Sequence, residues 1–166
     1  GLERRHTILH QRVLERDGRC MTVIACNLRE MAADTLCHEE DTSHYYASKI
    51  HRLEDGSLIG GAGNFPERII EWIVDGSNKL HVPHIDIERD DFSILHLRHD
   101  GIWLYCNTAN GYKLREKNFA VGCGADVALY VMRVLRKPPA HAAREACKIN
   151  MFCGGQVESF KLRARK

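Results

Sequence analysis

From about residue 22 onward the chain alternates short apolar runs with polar turns, and the spacing of the turns predicts strands before it predicts helices. Thr22 to Leu28 reads as a strand, Arg29-Glu30 as a tight turn, and Met31 to Asp34 as its partner. Residues 35–48 are polar and irregular, an excursion before the next strand. Lys49 to Leu53, the turn Glu54-Asp55-Gly56 and Leu58 to Gly61 make a second hairpin. Gly60-Gly61-Ala62-Gly63 removes side chains where backbone must come close to something. Phe92 to Leu97 and Ile102 to Asn107 form a third hairpin across His99-Asp100-Gly101, which Tyr112-Lys113-Leu114 extends.

Helical periodicity is confined to four places. Ile8, Leu9, Val13 and Leu14 make one face of a short helix that Gly18 ends, in a basic arm over residues 1–20. After Gly63 comes a helix with Asn64 as cap, Pro66 in the first turn and Ile69, Ile70, Trp72, Ile73 and Val74 as its buried stripe; Asp75-Gly76 ends it. Residues 77–91 read as loop. Phe119 to Gly124 is a short buried strand with a glycine-flanked turn, feeding a helix from Ala125 to Leu135. Pro138-Pro139 breaks the chain, a last helix runs from His141 to Ile149, and Gly154-Gly155 introduces a final strand, Val157 to Leu162. Strands, helix, strands, two helices, strand is the order of an α+β layered domain rather than alternating βαβ units.

Composition narrows the function classes. The 166 residues suit one well-buried domain. With 24 basic against 22 acidic residues and a formal net charge of +2, composition carries no nucleic-acid signal. Apolar runs fall short of the ~20 residues that a membrane span needs, and the first twenty residues lack the apolar core of a secretory signal. Seven cysteines form an odd set without a C-x-x-C pair, and Cys26 and Cys106 lie in apolar surroundings. That usage favours a reducing, cytosol-like compartment over a disulfide framework. Neither His81-Val82-Pro83-His84 nor His96-Leu97-Arg98-His99 has the spacing or carboxylate neighbours of a metal site, so no metal or other cofactor is expected.

Thr22, Asp34 and Lys49 are a hydroxyl, a carboxylate and an ammonium at the ends of neighbouring strands, the parts of an amine-activated threonine nucleophile. Five stretches, Thr22-Val-Ile-Ala, Met31-Ala-Ala-Asp34, Lys49-Ile-His-Arg-Leu, Leu58-Ile-Gly-Gly-Ala-Gly63 and Val121-Gly-Cys-Gly124, stand in the order found in proteasome β subunits. Over residues 22–162 the chain resembles that family, HslV and its shorter bacterial or phage-encoded relatives above all. The resemblance implies a four-layer αββα sandwich of the N-terminal-nucleophile (Ntn) hydrolase type, with subunits packed into homo-oligomeric rings. It implies Thr22 as nucleophile, with its own α-amino group as the base, because a free amine titrates near neutral pH and an amide nitrogen does not. Lys49 would lower the pKa of the nucleophile, Asp34 would hold Lys49, and the Gly63 N–H would face the oxyanion.

The chain departs from the family pattern at several positions. Cys123 replaces the serine of the glycine-serine-glycine turn, Asn150 stands where the family has the acid supporting the amine, and Cys153 takes the last hydroxyl position. Met21, rather than glycine, precedes Thr22. While residues 1–21 precede Thr22 its nitrogen is an amide, and no peptidase activity is expected in that form. About fifteen mostly polar residues replace a second long helix before Phe92, a trimmed helical layer.

The resulting division is an arm or propeptide-like extension over 1–21, the hydrolase-like domain over 22–162, and a basic tail over 163–166. Two readings follow: a threonine peptidase subunit acting on polypeptides once the arm is lost, or a catalytically silent structural subunit. In the second, in the cytoplasm or a phage virion, the arm contacts neighbouring assembly proteins. Amide hydrolysis of a small molecule is a third possibility on the same fold. Neither nucleic acid nor membrane is an expected partner.

Overall fold

The computed structural model describes residues 22–38, 44–63, 67–75, 84–85 and 91–164. The expected arm helix, the Asn64 cap, Pro66, most of the loop at 77–91 and the last two residues of the tail lie outside the described residues.

The elements are β1 (Val23–Asn27), β2 (Glu30–Ala33), β3 (Leu36–Cys37), β4 (Tyr45–Tyr46), β5 (Ile50–Arg52), β6 (Leu58–Gly63), α1 (Glu67–Val74), β7 (Phe92–Arg98), β8 (Gly101–Cys106), β9 (Tyr112–Lys113), β10 (Asn118–Gly122), α2 (Ala125–Arg133), α3 (Pro139–Ile149) and β11 (Glu158–Lys161). They form one sheet in the order β10-β1-β2-β11, a second in the order β5-β6-β7-β8-β9, and a small ribbon of β3 with β4. Neighbours in all three are antiparallel, with Ile24 opposite both Ala33 and Val121 in the first sheet and Gly60 opposite both Ile50 and Leu95 in the second.

The strands read as near-continuous apolar runs because both faces are covered. Successive side chains of a strand point to opposite faces, and β1 divides accordingly. Val23 and Ala25 enter a core with Ala128, Val131 and Met132 of α2 and Ala142, Ala143 and Ala146 of α3. Ile24 and Cys26 enter a second core with Ile50, Leu58, Leu95, Leu97 and Ile102 of the other sheet. The opposite face of that second sheet contributes Ile59, Phe92, Ile94 and Tyr105 to a third core with Ile69 and Ile70 of α1. The first core is built largely of alanine, so α2 and α3 lie close on the sheet.

Four expectations change. The stretch expected to be irregular contains the ribbon, with Leu36 opposite Tyr46. Val74 was expected in the buried stripe of α1 and is 51% exposed, since it lies past the side that meets the sheet. α3 begins at Pro139, not His141: proline at the first helical positions needs no N–H there, so it starts this helix rather than merely ending what precedes it. Cys106, expected in apolar surroundings, is exposed at the end of β8.

Candidate active site

Thr22 stands one residue before β1, Asp34 one residue after β2, and Lys49 one residue before β5. Because β1 and β2 are a tight hairpin, Thr22 and Asp34 come to the same end of the first sheet, and the Asp34 N–H donates to the Val23 carbonyl at 3.3 Å. Lys49 reaches across from the second sheet. Its Nζ donates to Asp34 Oδ1 at 2.9 Å and to Thr22 Oγ1 at 3.1 Å. The ammonium thus bridges the carboxylate and the hydroxyl.

Asp34 is fully buried and its charge is held by more than the lysine. The Val23 N–H donates to Oδ1 and the Gly154 N–H to Oδ2, both at 3.1 Å. Burial pushes the carboxyl above its ordinary range, and Lys49 is the strongest opposing influence, followed by the two backbone donors. The side chain of Lys49 is only 9% exposed, so the pair is desolvated on both sides.

A turn between β10 and α2 closes the other side of Thr22. The Thr22 N–H donates to Cys123 Sγ at 3.4 Å, and the Thr22 carbonyl accepts from Cys123 Sγ at 3.4 Å and from the Gly124 N–H at 3.3 Å. The flanking glycines permit this approach. Gly122 has φ of +94°, and a β-carbon on it would run into the Thr22 carbonyl. A β-carbon on Gly124 would lie 2.8 Å from that of Val23 and 3.0 Å from Cys153 Sγ.

Asn150 caps the C-terminus of α3. Its Nδ2 donates to the Cys123 carbonyl at 2.9 Å and its Oδ1 accepts from the Phe152 N–H at 2.9 Å. It braces the turn and makes no described bond to the Thr22 nitrogen. Cys153 Sγ lies 3.6 Å from Cys123 Sγ; that contact, then burial, pushes the Cys153 thiol far above its usual range. Burial raises the Cys147 thiol to about 11.

Five of the six residues singled out from sequence, Thr22, Asp34, Lys49, Cys123 and Asn150, therefore form one hydrogen-bonded cluster. Gly63 is the last residue of β6, with φ of +104° and opposite Phe92, and no described hydrogen bond ties it to the cluster. The backbone donors of Val23 and Gly154 were missed, since main-chain groups leave no mark in sequence beyond the glycine pair at 154–155.

The histidines do other work. His96 is buried, with Nε2 3.0 Å from Ser57 Oγ, which itself donates to Asp55 Oδ1 at 2.5 Å. That donation assigns Nε2 of His96 as the protonated nitrogen. Burial lowers the imidazole to about 4, with Arg98 adding to the effect and Asp55 and Asp100 opposing it. His99 Nε2 lies 2.7 Å from the Arg163 carbonyl oxygen. Among the described residues no three His, Cys, Asp or Glu side chains are grouped to hold a metal ion. No helix among the described residues is long and apolar enough to cross a membrane.

No protein-family model matches the sequence, and no curated protein matches it. Solved structures do. BPH of Thiobacillus denitrificans superposes with a TM-score of 0.60 at 19% identity, over 86% of this chain and 98% of that one. The same protein in complex with epoxomicin gives 0.61 at 19%, over 86% and 99%. Eukaryotic HslV from Trypanosoma brucei gives 0.64 at 17%, over 85% and 99%. At these identities the likeness is one of fold: the chain has the Ntn-hydrolase-like fold of HslV and BPH.

Proposed function

We propose that this chain is a proteasome-like subunit, a threonine peptidase by descent whose nucleophile is Thr22 and whose activity requires Thr22 to be the first residue. The observation that carries the reading is the position of Lys49 Nζ, 3.1 Å from Thr22 Oγ1 and 2.9 Å from Asp34 Oδ1. An ammonium there stabilises developing negative charge on Oγ1 and makes the hydroxyl easier to deprotonate. With residues 1–21 removed, the Thr22 amine takes that proton as Oγ1 attacks a peptide carbonyl. The amine then returns the proton to the leaving nitrogen, and water hydrolyses the ester formed on Oγ1. The Gly63 N–H is the proposed oxyanion donor. With the arm attached, the Thr22 nitrogen is an amide whose N–H already donates to Cys123 Sγ, and the base is missing.

The proposal includes the four-layer αββα arrangement, supported by three separate apolar cores on the faces of two sheets. It also includes the domain limits 22–162 and assembly of copies into a ring, for a bacterial or phage-encoded protein of the cytoplasm or virion.

One observation favours the silent structural reading. Asn150, a neutral amide standing where the resemblance places the supporting acid, is spent on the Cys123 carbonyl.

Intact-mass measurement of the native protein with and without epoxomicin decides between the two. A chain beginning at Thr22 that gains the mass of one inhibitor establishes the peptidase. A chain that keeps residues ahead of Thr22 and gains nothing establishes the structural subunit, with the arm as its tether.

A further inference from the structure

Two thiols touch behind Thr22, and the proposed peptide chemistry uses neither as a reacting group. Cys123 lies in the turn between β10 and α2, and Cys153 in the segment between α3 and β11. Their sulfurs are 3.6 Å apart. The two positions are 30 residues apart in the chain, so the fold brings them together rather than the local sequence.

The contact is held by its surroundings. Asn150 Nδ2 donates to the Cys123 carbonyl at 2.9 Å, and the Cys153 N–H donates to the Asn150 carbonyl at 3.1 Å, so one residue ties down both backbones. Gly124 leaves room for the second sulfur, since a β-carbon there would lie 3.0 Å from Cys153 Sγ. A disulfide bond is about 2.05 Å long, so the sulfurs must move closer than their present contact. Neither cysteine belongs to a helix or a strand, and no sheet ladder opposes that approach at either residue.

The two thiols are not equivalent. Cys123 is half-buried and Cys153 is buried. The contact with Cys123, then burial, pushes the Cys153 thiol far above its usual range, so Cys153 keeps its proton. A small peroxide therefore meets Cys123 first. The Cys123 sulfur attacks one peroxide oxygen. An S–O bond forms, the O–O bond breaks, and the thiol proton leaves with the other oxygen as water. The sulfur has lost the two electrons that the peroxide gains. The Cys153 sulfur then attacks the sulfenic sulfur: the S–S bond forms, the S–O bond breaks, and the Cys153 proton departs with the hydroxyl as a second water. A thiol reductant reverses the bond by exchange.

The crosslink acts on the cluster at two contacts. Cys123 loses the hydrogen that it donates to the Thr22 carbonyl at 3.4 Å. Movement of Cys153 displaces the next residue, Gly154, whose N–H holds Asp34 Oδ2 at 3.1 Å.

We propose that Cys123 and Cys153 are a peroxide-sensitive thiol pair whose reversible disulfide distorts the cluster of Thr22, Asp34 and Lys49. The thiol chemistry stands on the geometry of the pair; only the claim that the distortion stops a peptidase rests on that reading.

The test uses the full chain. On treatment with hydrogen peroxide it is expected to lose two hydrogens by intact mass and to yield a linked Cys123–Cys153 peptide on digestion. The backbone amide resonances of Thr22 and Gly154 are expected to shift, and dithiothreitol to reverse all three changes. Cys153→Ser removes the second sulfur at nearly constant size and is expected to gain one oxygen at Cys123, trapped by dimedone, in place of the crosslink. Cys147→Ser, on α3, is expected to leave the linkage intact. The crosslinked chain is expected to label with epoxomicin on the order of tenfold more slowly than the reduced chain. No crosslink, a link to another cysteine, or a crosslink that moves neither resonance overturns the proposal, as does labelling of the crosslinked chain at the reduced chain's rate. Linkage and shifts in a chain that labels in neither form keep the switch and reject the peptidase; labelling without linkage does the reverse.

Discussion

Lys49 and Asp34 form an ion pair of 2.9 Å from which water is largely excluded, the lysine side chain being 9% exposed and the aspartate fully buried. Such a pair returns little net stability against two apolar residues, but removing one member strands a buried charge. Lys49→Met is therefore expected to destabilise the domain by ~3–5 kcal/mol, and Lys49→Met with Asp34→Asn to recover more than half of that. The pH dependence has a definite sign. Asp34 already has a carboxyl raised by burial, and loss of Lys49 removes its strongest counter-influence. A raised acid favours the folded state below its unfolded pKa and loses that contribution as pH rises through the folded value. The deficit of Lys49→Met should accordingly shrink toward acid pH and grow toward neutral. Urea unfolding between pH 4 and pH 8 measures it.

His96 has the opposite sign. Its folded pKa is about 4, below the ordinary 6.5, so the folded protein resists its protonation. The stability tied to the neutral ring is complete above pH 6.5 and is lost as pH falls from there to 4. The loss amounts to about 3 kcal/mol. His96→Gln should flatten that part of the stability curve relative to the parent protein, by thermal or urea unfolding.

The turn beside Thr22 should tolerate no side chain. Gly122→Ala forces a β-carbon into the Thr22 carbonyl at a backbone angle that L-residues rarely adopt. A cost of ~1–3 kcal/mol is expected from the backbone conformation alone, read as a lowered midpoint of thermal unfolding. Cys123 should become more reactive toward a small thiol reagent in the same variant, because its contacts to Thr22 loosen.

For the proposed nucleophile the informative comparison is Thr22→Ser against Thr22→Val in a chain that begins at residue 22. Serine retains an oxygen for Lys49 and should retain epoxomicin labelling. Valine has the shape without the oxygen and should abolish labelling, while costing about 1.5–3 kcal/mol for the lost hydrogen bond from a charged donor. Mass spectrometry and urea unfolding read the two effects separately.

Much of the frame was legible because turn chemistry punctuates it. Arg29-Glu30, Glu54-Asp55-Gly56 and His99-Asp100-Gly101 mark hairpins that β1 with β2, β5 with β6 and β7 with β8 form at nearly the expected limits. The first of these hairpins brings Thr22 and Asp34 to one end of their sheet, and packing of the second sheet against the first adds Lys49. The ribbon of β3 and β4 escaped because two-residue strands are too short to display a period. Cys106 misled because a strand end can leave the sheet's cover while its neighbours Leu104 and Tyr105 stay within it. The role of Asn150 could not be read at all: its partner is a carbonyl 27 positions away, set by where α3 ends. Likewise the burial of His96 could not be read, since nothing in its run of residues says which face of β7 will be covered.

The spans of the hydrogen bonds around Thr22 bear on when the site comes into being. Thr22 is tied to Cys123, 101 residues on, and Asp34 to Gly154, 120 residues on. Contacts of that separation carry a large loop-closure entropy and form late in folding. During synthesis the first hairpin and Lys49 emerge long before the segments that lock them, so the lysine, acid and hydroxyl have no fixed arrangement until the last fifth of the chain has docked. A nascent or truncated chain therefore carries an unassembled site.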